Sequence, residues 1–196
     1  REGGILLGKT NTPEFGAGAN TRNLVFGATG NPFDPIKTCG GSSGGSAVAL
    51  ATGMVPIATG SDYGGSLRTP ASFCGVVGIR PSPGVVPAEA RSVSLLPFSV
   101  LGPMGRSVDD AYLLLKAQSG INRLDPFSNG AEIDFRNILE PADLSNVNAM
   151  ITPDLGTAVM SEKYRSIFAE RAQLFSHNFK SVSYGSPNFE NGDNCF

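Results

Sequence analysis

The sequence is poor in several residue types that mark particular protein classes. It has no Trp and a single His, and only 16% of its 196 residues are charged. Its 15 Lys and Arg are balanced by 17 Asp and Glu, with no basic run to supply the dense phosphate contacts of a nucleic-acid-binding protein. Its apolar runs fall far short of the roughly 20 residues that a membrane span needs. The sequence therefore predicts neither direct nucleic-acid binding nor a membrane span.

Cysteine is also scarce. Cys39, Cys74 and Cys195 form neither an even disulfide framework nor a C-x-x-C pair. This pattern is typical of a reducing compartment and of a protein without a metal site, so we expect a cytoplasmic, metal-free protein. The chain opens on Arg1 to Ile5 with no Met and no signal peptide, and we interpret it as an internal fragment.

Glycine and charge are unevenly distributed. The first 105 residues hold 20 of the 25 Gly but only 12 of the 32 charged residues. A Gly-rich, charge-poor stretch is typical of tight loops packed closely around a site, whereas the remainder has the pattern of ordinary amphipathic helices. We therefore expect any chemistry to reside in the first 105 residues.

Short apolar runs predict four strands, at residues 5–7, 55–58, 76–79 and 147–151. The middle two runs are too short to be separated from helix by periodicity alone. These strands alternate with the helices described next, which predicts the α/β class. Without a repeat or a low-complexity linker, no domain boundary is expected inside the chain.

Start and stop signals predict three helices. The first runs from Ser46 to Thr52 and is ended by Gly53. Ser107 is expected to cap the second, which has an acidic first turn and places Leu113 and Leu114 on its core face. The third, from about residue 161 to 175, has an apolar stripe made of Tyr164, Ile167, Phe168, Leu174 and Phe175.

Two stretches match known motifs, but the residues around them do not predict the strand and helix that each motif requires. Residues 3–10 match the phosphate-binding pattern G-x-x-x-x-G-K-[ST], but the predicted strand lies inside the motif and Pro13 follows where a helix should begin. Residues 40–44 match the G-x-S-x-G elbow of α/β-hydrolases, but residues 34–39 make a poor buried strand. The one His, His177, lies at a predicted helix end, which is typical of a solvated residue rather than a catalytic base.

Two Gly/Ser clusters, residues 40–46 and residues 62–68, are the unusual feature of the sequence. Successive glycines let backbone N–H groups converge, as an oxyanion hole requires. A serine just after such a turn can present its hydroxyl to those donors, and a lysine can replace histidine as the base. Structural turns with serine caps would explain one cluster, but two clusters together with Arg68 favour a catalytic site.

The stretch from Gly40 to Pro87 resembles the signature of the amidase signature family, and residues 7–11 and 102–111 resemble flanking family blocks. The resemblance covers about residues 5 to 120. It implies an α/β/α layered single domain with a mixed twisted sheet, of which residues 1–196 would form the central part. It also implies an amidase that hydrolyses the C–N bond of a small-molecule carboxylic amide and uses no metal or organic cofactor.

The resemblance assigns roles residue by residue. Ser66 would be the nucleophile and Ser42 the bridging serine, joined to Gly41 by a cis peptide bond. The oxyanion hole would be formed by the backbone N–H groups of Tyr63, Gly64, Gly65 and Ser66. The supporting residues would be Ser43, Asp62 and Arg68. Tyr63 replaces the small residue that most members of the family have there, so we expect it to narrow the acyl pocket.

The lysine that deprotonates the bridging serine in this family lies upstream of Arg1, and neither Lys9 nor Lys37 stands in the matching block. Because a serine hydroxyl needs an adjacent base, we expect the 196-residue chain alone to be inactive. Variable loops such as residues 122–137 would shape the substrate pocket. Two alternatives stay open: the glutamine-amidohydrolysing subunit of a tRNA amidotransferase, and a non-catalytic homologue or fragment.

Overall fold

The computed structural model describes residues 3–89, 96–128 and 141–188; Cys195 and residues 129–137 of the predicted pocket loop lie outside this part. The chain separates into two compact units, Arg1–Ile138 and Leu139–Phe196. That residues 1–196 belong to one domain stays a prediction. In the described ranges, no helix is both long enough and apolar enough to cross a membrane.

The first unit is built around a small antiparallel sheet. Its elements in chain order are β1 (Arg22–Asn23), β2 (Gly27–Ala28), α1 (Gly44–Ala51), β3 (Ile57–Asp62), α2 (Arg68–Cys74), β4 (Val77–Gly78), β5 (Val100–Gly105) and α3 (Val108–Gln118). Strands β1 and β2 pair as a separate hairpin, and β5 lies between β3 and β4 in a three-stranded sheet. The register places Gly60 opposite Gly102 and Asp62 opposite Val100.

Helices cover both faces of this sheet. A Cβ at Gly60 or Gly102 would lie 2.7 or 2.6 Å from the Leu67 side chain, in the core that α1 and α2 share. A Cβ at Gly105, three residues along the strand from Gly102, would lie 2.7 Å from the backbone N of Ala111 in α3. Since side chains alternate along a strand, α3 packs on the face opposite α1 and α2. This order agrees with the predicted α/β/α layering.

The predicted helices of the first unit are confirmed, with one correction. Helix α1 begins two residues before Ser46 and is followed by Gly53 with φ +74°. At α3, Ser107 accepts from the Asp110 N–H in a capping box, as the sequence predicted. The prediction that Leu113 faces the core is wrong: its side chain is 61% exposed, whereas Ala111 is fully buried. Because α3 lies close to Gly105, there is room only for a small side chain at position 111.

The strand predictions hold less well. Residues 5–7 form no strand within the described part of the chain, and the side chains of Ile5, Leu6 and Leu7 are largely exposed, so that prediction is wrong. The strand expected at residues 55–58 begins at Ile57 and continues to Asp62. The strand expected at residues 76–79 is reduced to the two residues of β4. Apolar runs therefore located β3 and β4 but misplaced their ends, and they did not reveal β5, the central strand of the sheet.

The second unit contains β6 (Asn148–Ile151), α4 (Glu162–Ser176) and β7 (Ser181–Tyr184). Strands β6 and β7 are parallel, with Asn148 opposite Ser181. The predicted strand and helix are confirmed, and Ser161 is the N-cap of α4. Together with the antiparallel sheet of the first unit, this parallel pair makes the structure a mixed α/β one.

Candidate active site

The first Gly/Ser cluster forms the turn that leads into α1. Its Gly41–Ser42 peptide bond is cis, which confirms that prediction. Ser42 and Ser43 are buried, with 4% and 5% of their surface exposed. The Ser43 hydroxyl donates to the carbonyl of Ser61 at 3.2 Å and accepts from the Ser61 N–H at 3.1 Å. Ser43 therefore fastens this turn to strand β3.

A buried threonine holds the other side of the same turn. The Thr21 hydroxyl donates to the carbonyl of Gly40 at 2.8 Å and accepts from the N–H of Gly44 at 3.1 Å. A Cβ at position 44 would overlap the Thr21 hydroxyl and the Cys39 thiol, so only glycine fits there. Sequence reasoning missed Thr21, since nothing local to residue 21 points to a turn about 20 residues later.

The second Gly/Ser cluster connects β3 to α2 and is organised by the carboxylate of Asp62. One oxygen accepts from the N–H of Gly65 at 2.8 Å, and the other accepts from the N–H of Leu67 at 3.1 Å. Gly65 has φ +123°, a conformation that other residues rarely adopt. These two hydrogen bonds fix the backbone on both sides of Ser66.

Two arginines neutralise this buried carboxylate. Arg68 donates to both oxygens of Asp62 at 3.1 Å. Arg80 donates to the Asp62 side chain at 3.1 Å and to its carbonyl at 2.6 Å. Burial by itself raises the pKa of Asp62, but the hydrogen bonds from Arg68, Leu67 and Gly65 outweigh it and lower the pKa to about 2. Asp62 is therefore ionised at neutral pH.

A backbone hydrogen bond brings the two clusters together. The N–H of Ser43 donates to the carbonyl of Ser66 at 3.2 Å. Both Ser42 and Ser66 line one cleft of about 780 Å³. In the described part of the chain, neither of their hydroxyl groups has a hydrogen-bond partner. The structure thus brings both predicted catalytic serines to the same cleft, and neither hydroxyl has a hydrogen bond among the described residues.

The residues predicted for the oxyanion hole also border the cleft. Tyr63, Gly64, Gly65 and Ser66 all line it. The Gly65 N–H, however, is directed at Asp62. The Tyr63 ring meets Phe98 edge-on, with centroids 6.0 Å apart, and is 60% exposed.

Neither a lysine nor a histidine is among the described residues that line the cleft. Lys9 is exposed, and Lys37 pairs with Asp34 at 3.1 Å on the surface. His177 is the exposed C-cap of α4, in the second unit. Within the described ranges, no group of three His, Cys, Asp or Glu side chains could hold a metal ion.

The two described cysteines belong to the core. Cys39 and Cys74 are free and buried, and the Cys74 thiol lies 3.6 Å from the carbonyl of Cys39. Burial, with a smaller effect of Cys39, raises the pKa of Cys74 to about 11. A thiol that stays protonated and buried is a poor nucleophile, so we assign both cysteines to the packing of the core.

Comparison with known proteins identifies the architecture. A family model described as Amidase matches residues 1–191. A glutamyl-tRNA(Gln) amidotransferase subunit of Thermus thermophilus is 47% identical over 138 residues, which are 70% of this chain but 29% of that protein. The chain therefore spans less than a third of the length of this curated relative.

Solved structures agree with this result. A bacterial aryl acylamidase of the amidase signature family matches 93% of the chain with a TM-score of 0.81 and 33% identity, over 37% of its own length. The corresponding glutamyl-tRNA(Gln) amidotransferase subunit of Thermotoga maritima matches 93% of the chain with a TM-score of 0.79 and 34% identity, over 40% of its own length. The predicted fold class is thereby confirmed, and the chain belongs to the amidase signature family.

Proposed function

We propose that the whole protein hydrolyses a carboxylic amide through an acyl-enzyme formed on Ser66. The observation that supports this proposal is the convergence of two loops 24 residues apart in sequence, so that Ser42 and Ser66 both line one cleft. Turns with a purely structural role would have no reason to bring two serines, neither with a hydroxyl hydrogen-bonded to a described residue, to the same cleft. Membership of the amidase family supports the same chemistry.

In the proposed reaction, the Ser66 oxygen attacks the amide carbonyl carbon and its proton passes to Ser42. The proton of Ser42 passes in turn to a lysine outside these 196 residues. The lysine then returns this proton through Ser42 to the amine as the C–N bond breaks, and an ester remains on Ser66. Attack by water on this ester releases the acid and restores the serine. An unassisted serine hydroxyl is a weak nucleophile at neutral pH, so this relay is what makes Ser66 reactive.

The negative oxygen of the tetrahedral intermediate would be bound by the N–H groups of the loop at residues 63–66. The Gly65 N–H already donates to Asp62. We therefore assign the main contribution to the N–H groups of Tyr63, Gly64 and Ser66, with Gly65 holding the loop in shape. Loss of one oxyanion donor typically costs about 10²–10³ in kcat. No cofactor enters this scheme, since serine, lysine and backbone donors fill every role.

Asp62, Arg68 and Ser43 act as supporting residues in this proposal. Asp62 has a strongly lowered pKa and is already bonded to both arginines, so it is a poor proton acceptor at neutral pH. An arginine is always protonated and cannot exchange protons during turnover. Their role is to fix the loop that presents Ser66, while Ser43 fixes the turn that presents Ser42.

A second candidate is the glutamine-hydrolysing subunit of a tRNA amidotransferase, favoured by the 47% identity to the amidotransferase subunit of Thermus thermophilus. In that case the substrate would be the side-chain amide of glutamine, and the protein would work with partner chains. Turnover of free glutamine that rises on addition of such partners would support this candidate. Turnover of simple amides by the protein alone would support a stand-alone amidase.

The test is a comparison of Ser66→Ala and Ser42→Ala with a matched control in the full-length protein. Ser72→Ala is that control, since Ser72 is exposed on α2 and does not line the cleft. We expect Ser66→Ala to lose at least about 10³-fold in kcat and all labelling by a fluorophosphonate, with unchanged unfolding. Ser72→Ala should retain full activity.

A Ser66→Ala variant with half the wild-type kcat would rule out this nucleophile. Wild-type protein that neither reacts with the fluorophosphonate nor hydrolyses any amide would instead indicate a non-catalytic homologue. The isolated 196-residue chain, which has neither a lysine nor a histidine among the described residues of the cleft, should show no Ser66-dependent turnover.

A further inference from the structure

Glu89 has no place in the chemistry proposed above, yet it lines the same cleft. Of the described residues at the cleft, it is the only one with a charged side chain. The rest of the described lining consists of hydroxyl groups, backbone and apolar side chains, among them Phe15, Leu96 and Leu101. The cleft therefore combines an apolar wall with one carboxylate.

The position of this carboxylate is fixed by a neighbouring loop. The side-chain amide of Asn122 donates to one Glu89 oxygen at 2.6 Å. The preceding residue, Ala88, donates its N–H at 2.9 Å to Asp125, of whose surface only 2% is exposed. The same Asp125 carboxylate accepts from the N–H of Phe127 at 3.1 Å. The Glu89 side chain is exposed, but Asn122 orients it, and Asp125 holds the backbone of the residue before it.

Among the described residues, no cation lines the cleft to cancel this charge. Arg68 and Arg80 both donate to Asp62, and neither is a lining residue. Asn122 is a neutral donor, so it orients Glu89 without compensating its charge. It occupies one carboxylate oxygen and leaves the other able to accept a hydrogen bond from a ligand.

From these contacts we infer that Glu89 is a specificity-determining residue that favours amide substrates carrying a positive charge, such as an ammonium group, over neutral and anionic ones. The inference rests on the proposed amidase function and narrows its substrate class to apolar amides with a cationic end. A fixed carboxylate attracts an ammonium group and repels a carboxylate at the same position. Because Glu89 takes no part in bond breaking, it should change which amide is chosen without abolishing turnover.

The experiment measures kcat/KM of the full-length protein for matched 4-nitroanilides whose acyl chains end in methyl, ammonium or carboxylate: the hexanoyl, 5-aminopentanoyl and glutaryl compounds. A second series carries the same three end groups on the amine side of the amide. In at least one series, the wild type should prefer the cationic member over the anionic one. Glu89→Gln should reduce the cationic-to-neutral ratio of that series by about fivefold, as expected for one partly solvated charge pair.

Two further variants separate this role from general effects. Asp109→Asn removes one negative charge from an exposed residue that does not line the cleft, so it should leave the ratio unchanged. Asn122→Ala removes the donor that orients the carboxylate and should reduce the ratio by less than Glu89→Gln does. The cationic preference of the wild type should also fall as salt is raised.

The outcomes distinguish this inference from the proposed function. In one outcome, the amides of both series are hydrolysed in a Ser66-dependent manner while Glu89→Gln leaves the cationic-to-neutral ratio of kcat/KM unchanged in both. That result overturns the inference, and the amidase function stands. If no anilide is hydrolysed and the fluorophosphonate does not label Ser66, the proposed function itself fails. A ratio that changes equally in Asp109→Asn would also overturn the role of Glu89, because it would reflect net charge alone.

Discussion

The ionised carboxylate of Asp62 should contribute measurably to stability, and its removal tests how the nucleophile loop is held. Asp62 is completely buried and accepts hydrogen bonds from two backbone N–H groups and two guanidinium groups. Asp62→Asn keeps the size of the side chain but replaces one acceptor oxygen with an NH₂ group. That group would face donors from Arg68 or Leu67, so at least one buried donor would lose its partner.

The pKa gives the size of the effect. Folding lowers the pKa of Asp62 from 3.8 to about 2. At about 1.36 kcal/mol per pKa unit, the ionised carboxylate stabilises the fold by about 2 kcal/mol at neutral pH. Since the folded pKa lies below the unfolded one, this contribution is complete above about pH 5 and is lost as the pH falls towards 2. About 1 kcal/mol of it should already be lost at pH 3.

The assay is urea unfolding of full-length wild type and Asp62→Asn at pH 7 and at pH 3. At pH 7, we expect the variant to be less stable by about 3 kcal/mol, the range found when one partner of a buried ion pair is removed. At pH 3 the wild type has lost about 1 kcal/mol of the stability that the ionised carboxylate provides. The variant has no such carboxylate to lose, so the difference in the free energy of unfolding should narrow by about 1 kcal/mol. Asp109→Asn, on the exposed first turn of α3, is the control and should show no such narrowing. An equal difference between Asp62→Asn and wild type at both pH values would refute this account of the loop.

Two further predictions concern the residues that hold the site. Arg68→Lys should lower kcat or stability without moving either limb of the pH–rate profile, because lysine cannot form the paired contacts of arginine with Asp62; a shifted limb would point to proton transfer instead. Thr21→Val should destabilise the protein by about 1–3 kcal/mol in urea unfolding, because it leaves the buried Gly44 N–H unpaired. Thr52→Val, which removes an exposed hydroxyl bonded within α1, is its control, and equal losses in the two variants would contradict a special role for Thr21.

Much of the framework could be predicted because its signals are local. The helix cap at Ser107 and the Gly53 that follows α1 lie within a few residues of the elements they end, so their chemistry is readable in sequence. The face of α3 could not be read in this way. Apolar content suggested Leu113, but the burial of Ala111 is decided by Gly105, which lets the helix approach the sheet.

The residues that the sequence did not reveal are those whose partners lie far away in the chain. Arg80 contacts Asp62 across 18 residues, and Thr21 contacts Gly44 across 23. Glu89, at the cleft, is oriented by Asn122, which lies 33 residues later. In one sequence, such residues look like ordinary surface arginine, threonine and glutamate, since no local periodicity or spacing distinguishes them.

The hydrogen bonds around the site separate residues that hold the loops from residues that line the cleft. Three side chains form hydrogen bonds with backbone groups of the two loops: those of Thr21, Ser43 and Asp62. These residues hold the loops that bring Ser42 and Ser66 to the cleft. It follows that changes to the three holding residues should affect stability and kcat together, whatever the substrate. Changes at the cleft wall, as at Glu89, should instead alter the ratio of kcat/KM between substrates, so the two kinds of residue are separable by kinetics.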